Sequence, residues 1–143
     1  MTIDQISVFV ENRQGKLLEV IETLSGDGID LRAMCLADTS SFGILRLIVD
    51  KPVRALRALE GAGYVVQVSK VIPVAIDDEP GGLAKALRIL DDNGISLEYT
   101  YAFVGHKAKK AYVIFRVEDN DRAIEVLTSN GIKLVSPEEM YEM

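Results

Sequence analysis

Hydrophobic and polar residues alternate at the start of the chain, where Ile6, Val8 and Val10 stand two apart. That is the period of a strand with one buried face. The period then changes: Leu17, Val20, Ile21 and Leu24 fall at the spacing of one helix face. The run SGDGI closes this stretch, and its Gly28 is the residue a helix C-terminus favours for a left-handed turn. Two more apolar stretches, residues 30–37 and 42–49, predict a hairpin joined by turn-forming residues. Leu56 and Leu59 mark a shorter helix that ends at Gly63, and residues 64–68 predict a closing strand.

The same series then repeats. At an offset of 66, Gly15 aligns with Gly81, Leu17 with Leu83, Gly28 with Gly94, Ile29 with Ile95 and Leu31 with Leu97. Past the hairpin the offset is 68, because the second copy carries two extra residues in its turn. It pairs Val49 with Val117, Arg54 with Arg122, Ala55 with Ala123, Leu59 with Leu127 and Gly63 with Gly131. Identities in order, with one small insertion, indicate an internal duplication. The second copy predicts a strand on Ile72, Val74 and Ile76, and a helix on Leu83, Ala86, Leu87 and Leu90 that DDNGI closes. A hairpin of residues 96–104 with 111–118, a helix on Ile124 and Leu127, and a strand over 132–135 complete it.

Strand, helix, two strands, helix, strand is the β-α-β-β-α-β order of ferredoxin-like folds. The predicted class is α+β: two such units in tandem, residues 1–68 and 69–143, each an antiparallel sheet with helices on one face. Residues 64–76 are almost continuous strand material, broken by Ser69 and Lys70, so no linker separates the copies. Each copy is near the lower size limit for independent folding and should lean on the other or on another chain.

Composition narrows the function. Sixteen basic against twenty-two acidic residues give a net charge of −6, which repels a phosphate backbone and argues against nucleic acid. The basic cluster His106, Lys107, Lys109 and Lys110 reads as a solvated hairpin turn. Cys35 is the single cysteine, which excludes an intrachain disulfide, fits a reducing cytoplasm and reads as a core thiol in an alternating segment. One Cys and one His cannot make a thiolate zinc site. The N-terminus lacks the pattern of a signal peptide, and no apolar run is long enough for a membrane span. A cytoplasmic protein without a membrane partner is expected.

No catalytic constellation stands out. General acid–base work requires a positioned group of tuned pKa. The single histidine lies in a lysine-rich turn, and Asp77, Asp78, Glu79, Asp91 and Asp92 read as exposed faces. No phosphate-binding loop or metal cluster is present, so the chain reads as a non-enzyme without cofactor.

The strand-to-helix loops are the candidate site, ENRQGKL over residues 11–17 and DDEPGGL over 77–83. Glycine admits close approach to the backbone, and the free N–H groups of a first helical turn attract a carboxylate. Asn12 offers both an amide carbonyl and an NH2, able to hold an ammonium and a carboxylate oxygen. A polar residue followed by glycine also serves simply as a helix cap, and these residues alone leave both roles open.

The passages VFVENRQGKLLEVIETLSGDGIDL and VAIDDEPGGLAKALRILDDNGISL resemble ACT domains, and the resemblance covers nearly the whole chain in two copies. ACT domains are ferredoxin-like modules that bind amino acids and other small effectors, usually to regulate an enzyme. The resemblance implies a ligand held between two ACT units, with one unit giving its strand–helix loop and the other the residues entering its second strand. It implicates Asn12, Arg13, Gln14, Gly15, Lys16 and Leu17, faced by Ile95, Ser96 and Leu97. The second set is Asp78, Glu79, Pro80, Gly81, Gly82 and Leu83, faced by Ile29, Asp30 and Leu31. Ile29, Leu31, Ile95 and Leu97 serve equally well as core.

Two positions depart from the family pattern. Gln14 stands in place of the usual proline, and Asp78 where asparagine is common; its charge opposes a ligand carboxylate. The expectation is therefore an amino-acid-binding regulatory protein whose first loop binds better, acting on a metabolic enzyme carried by a separate chain. A protein-interaction module that has lost its ligand is the alternative. Further pairing into a homodimer is compatible with either.

Overall fold

A computed structural model describes residues 1–38, 41–104 and 109–142. His106 and Lys107 of the basic turn lie outside the described residues. The chain runs β1 (Ile3–Glu11), α1 (Lys16–Gly26), β2 (Leu31–Asp38), β3 (Phe42–Val49), α2 (Pro52–Gly61) and β4 (Val66–Asp77). It continues with α3 (Gly82–Asp92), β5 (Leu97–Ala102), β6 (Lys110–Val117), α4 (Asn120–Ser129), β7 (Lys133–Leu134) and α5 (Pro137–Glu142).

Two compact units result. One comprises Asp4–Ser69; the other comprises Lys70–Tyr141 together with Met1–Ile3. In the first, β1 and β2 both run antiparallel to β3, Ile6 opposite Leu47 and Met34 also opposite Leu47. The approach to β4 joins β1 where Phe9 N–H donates to Val65 O at 3.1 Å. In the second, β4 and β5 run antiparallel to β6, and β7 pairs with β4 through Val74 and Leu134. Each unit thus has the ferredoxin-like β-α-β-β-α-β order. The expected break at Ser69 and Lys70 is absent: β4 is one strand whose residues up to Ser69 belong to the first unit and the rest to the second. Neither residue imposes a turn, and an extended backbone continues through both.

The apolar periodicity becomes core. Ile6, Val8 and Val10 pack with Val20, Leu24, Leu45, Leu47, Ala55 and Leu59 in the first unit. Ile72, Val74 and Ile76 pack with Ala86, Leu90, Val113, Phe115, Ala123 and Leu127 in the second. Within each unit the two long helices also touch, α1 with α2 and α3 with α4.

All four of these helices end alike. At α1, Gly28 (φ 71°) sends its N–H to Ser25 O at 3.0 Å, and Ile29 N–H returns to Leu24 O at 3.1 Å. The pair of bonds satisfies carbonyls that the last turn would leave open, and the left-handed φ costs glycine little. The same pair recurs at Gly63, Gly94 and Gly131. The repeated arginines brace these ends: Arg54 Nε lies 3.4 Å from Asp27 Oδ2, and the Arg122 guanidinium donates to Asn93 O. A cation beside a helix C-terminus is favourable.

The sequence reading missed α5. Its start is a capping box: Glu139 N–H donates to Ser136 Oγ at 3.1 Å, with Pro137 at the first helical position. Met140 of this helix is fully buried. Among the described residues no helix is long and apolar enough to cross a membrane.

Candidate functional site

The two strand–helix loops superpose bond for bond. Asn12 N–H donates to Ser41 O at 3.1 Å, and Asp78 N–H to Lys109 O at 2.8 Å. Arg13 N–H turns back to Glu11 O, and Glu79 N–H to Asp77 O, both at 2.9 Å. Lys16 N–H then reaches Arg13 O at 3.3 Å, and Gly82 N–H reaches Glu79 O at 3.0 Å. Gly15 (φ 86°) and Gly81 (φ 88°) precede the helices in the left-handed conformation, and neither helix has a side-chain cap. Residues 12 and 78 are therefore not side-chain caps. The first intrahelical bonds come from Glu19 and Lys85, so the N–H groups of Leu17, Leu18, Leu83 and Ala84 have no backbone partner among the described residues.

Around this shared backbone the side chains differ. In the first unit a pocket of about 200 Å³ opens beside the loop. Val10, Leu17, Leu36 and Gly43 form its apolar side, and Glu11, Asn12, Arg13 and Asp38 its polar rim. Arg13 Nε pairs with Glu11 Oε2 at 3.0 Å, and Asn12 Nδ2 donates to Asp38 Oδ1 at 3.2 Å. Asn12, Arg13 and Leu17 of the expected set thus converge, while Gln14 and Gly15 are exposed outside the pocket wall. Lys16 is engaged elsewhere, its Nζ 3.3 Å from Glu19 Oε2, and Tyr64 Oη donates to the same oxygen at 2.8 Å. The Tyr64 hydrogen bond, followed by Lys16, holds the Glu19 carboxyl below its ordinary range. Partial desolvation and then the bond to Glu19 push the Tyr64 hydroxyl up to about 12.

The second loop is tied up by its own groups. Lys110 Nζ bonds the Asp77 carboxylate and holds its pKa low. Gly82 sits so close to Asp77 that a Cβ there would lie 2.0 Å from the Asp77 carbonyl oxygen. Asp78, Glu79 and Pro80 are exposed, and Leu83 is 36% exposed. Gly81 borders a separate open groove with Lys85, Arg88, Asp92 and Asn130.

The expected facing residues lie at the helix C-termini of their own units. Ile29 is buried in the first core with Leu31 packed against it. Asp30 receives Arg32 on its carboxylate and donates its N–H to Asp50 Oδ1 at 2.9 Å. Ile95 and Leu97 pack on the second core, and with Ser96 they border a wide depression alongside Leu87, Arg88 and Asp91.

Asp38, Leu36 and Gly43 were not anticipated. A signal for them exists in the repeat itself. Its offsets set Val104 where Asp38 stands and Ala111 where Gly43 stands, so the residues flanking the hairpin turn change character between copies. Among the described residues no three metal-ligating side chains gather at one point.

A family model described as an ACT domain pair matches residues 1–143. Among solved structures, protein BT0572 from Bacteroides thetaiotaomicron is 36% identical, with a TM-score of 0.93 over 100% of this chain and 98% of that one. The ligand-free regulatory subunit of aspartate kinase from Thermus thermophilus is 19% identical, with a TM-score of 0.66 over 90% of this chain and 92% of its own. The corresponding subunit from Thermus flavus is 16% identical, with a TM-score of 0.61 over 88% and 90%. No curated protein matches the chain.

Proposed function

The chain belongs to the ACT domain family as a pair of such domains, and from that premise we propose that it is a regulatory protein that senses a free amino acid and has no catalysis of its own. We take residues 1–68 and 69–143 as its two domains. The observation that carries the reading is the first-unit pocket, where Asn12, Arg13 and Leu17 meet Leu36, Asp38 and Gly43 beside helix-start N–H groups that have no backbone partner among the described residues. A zwitterion is complementary to that mixture of acceptors, a cation and backbone donors. The corresponding second set is the weaker site, because Asp78 repels a carboxylate. The Thermus relatives are regulatory subunits of aspartate kinase, which supports a metabolic enzyme as the regulated partner.

A thermal-shift panel of the twenty amino acids tests the proposal. A ligand of about ten heavy atoms should bind with roughly micromolar to millimolar affinity. At a hundredfold excess over Kd it stabilises by about 2.7 kcal/mol, which should raise Tm by roughly 5–15 °C. Asn12→Ala should weaken binding by about 1–3 kcal/mol, while Asp78→Ala leaves it nearly unchanged. A second reading, a ligand-free interaction module, is favoured by solvent-exposed Phe9, Phe42 and Val65 (36%, 50% and 66% exposed). A panel in which no amino acid shifts Tm decides for it.

A further inference from the structure

The pocket beside the first loop has a sign and a depth. On its rim, Glu11 and Arg13 neutralise one another at 3.0 Å. Among the described residues Asp38 has only a neutral partner, the Asn12 amide, whose Nδ2 donates to one carboxylate oxygen at 3.2 Å. Of the charged groups lining the pocket, Asp38 is the one without an opposite charge beside it among the described residues. The bond to Asp38 takes one of the two Nδ2 hydrogens of Asn12, and the Asn12 carbonyl Oδ1 adds an acceptor beside the carboxylate. Both groups therefore favour a ligand cation with N–H donors.

The depth comes from Gly43. A Cβ there would meet Leu36 Cδ1 at 3.0 Å and the Ala37 carbonyl oxygen at 3.5 Å. Leu36 is 46% exposed, and its side chain would have to give way. Since Leu36 and Gly43 both line the pocket with Val10 and Leu17, adding that methyl displaces part of its wall. The volume of about 200 Å³ is below the roughly 300–1,000 Å³ typical of drug-sized ligand sites. The second copy carries Ala111 and Val104 at the corresponding positions, lacking both the gap and the charge.

We propose that this pocket is an ammonium-binding site with an apolar floor, in which Asp38 takes the ligand's ammonium and Gly43 limits the side chain to a short, neutral one. The ligand class is a small aliphatic α-amino acid, as against an acidic or aromatic one. This assignment of the ligand rests on the sensing role proposed above, whereas the ammonium subsite can be tested without it.

The test follows backbone amide resonances of the full chain during titration with L-alanine, L-valine, L-phenylalanine and L-aspartate. Glycine ethyl ester, an ammonium without a carboxylate, is the additional probe. Resonances at Asn12, Asp38 and Gly43 should move with alanine or valine and, at higher concentration, with the ester. Phenylalanine and aspartate should leave them in place. Asp38→Asn should weaken both kinds of binding by about tenfold or more, and Gly43→Ala should weaken valine more than alanine. Ala111 at the matching position of the second copy indicates that Gly43→Ala folds. If the ester binds through Asp38 and no amino acid does, the ammonium subsite stands and amino-acid sensing falls. If amino acids bind but shift the resonances of residues 78–83 instead, sensing stands and this site is overturned. Unaltered binding in Asp38→Asn, or no shift at the pocket with any probe, also overturns it.

Discussion

At one loop position the two copies carry residues as unlike as lysine and glycine. Lys16 extends to Glu19, whereas Gly82 lies where any side chain would strike the Asp77 carbonyl, its ideal Cβ being 2.0 Å from that oxygen. Gly82→Ala should therefore force the loop open and destabilise the protein by roughly 1–3 kcal/mol, the usual cost of overpacking. Lys16→Ala removes an exposed ion pair of about 0–1 kcal/mol. Urea unfolding of both variants checks this, and a Gly82→Ala protein as stable as the parent would refute the steric account. Family resemblance pointed to Gly82 as a ligand residue, but its steric role depends on the path of a backbone five residues away. Asp38 was hidden for a related reason. It approaches Asn12 only after the hairpin folds back, and the local pattern marks it simply as the end of a strand.

Among the elements, α1 is fastened on one side by its contact with Tyr64, where the chain leaves α2. The phenol donates to Glu19, and Glu19 in turn meets Lys16. Because the Glu19 pKa is lowered in the fold, its contribution is present above its ordinary range and lost as pH falls through the depressed value. The Tyr64 pKa is raised from 10.0 to about 12, so its contribution is full below 10 and lost as pH rises towards 12. Tyr64→Phe should flatten the alkaline loss of stability between those limits while leaving neutral-pH folding intact, as thermal melts across pH would report. An unchanged alkaline limb would contradict the bond. The helices and their glycine ends were legible because each carries its own period and its own stop. In contrast, α5 is too short to display a period, and only Ser136 with Glu139 announced it. The continuity of β4 was half visible, since two polar residues interrupt its pattern without interrupting its backbone.

For the molecule as a whole, duplication predicts equivalent energetics in equivalent places. Leu59 and Leu127 occupy matching core positions, and both are fully buried. Leu59→Ala and Leu127→Ala should each cost about 2–5 kcal/mol, and chemical denaturation should give values of similar size. A large loss at one and almost none at the other would mean that the copies do not share their core design. The overall pattern was readable because repeated apolar spacing fixes which faces are buried. The pocket was less so, because it arises where the copies differ and depends on contacts between separate segments. A gene for this chain cannot gain or lose a single codon within β4 without consequence. Val66 packs with the first core and Ile72, Val74 and Ile76 with the second, and side chains alternate along the strand. A one-codon change between them would exchange the faces of the strand in one copy, setting Ile72, Val74 and Ile76 where Val71, Pro73 and Ala75 are now buried, so substitution is the accessible route of divergence within β4.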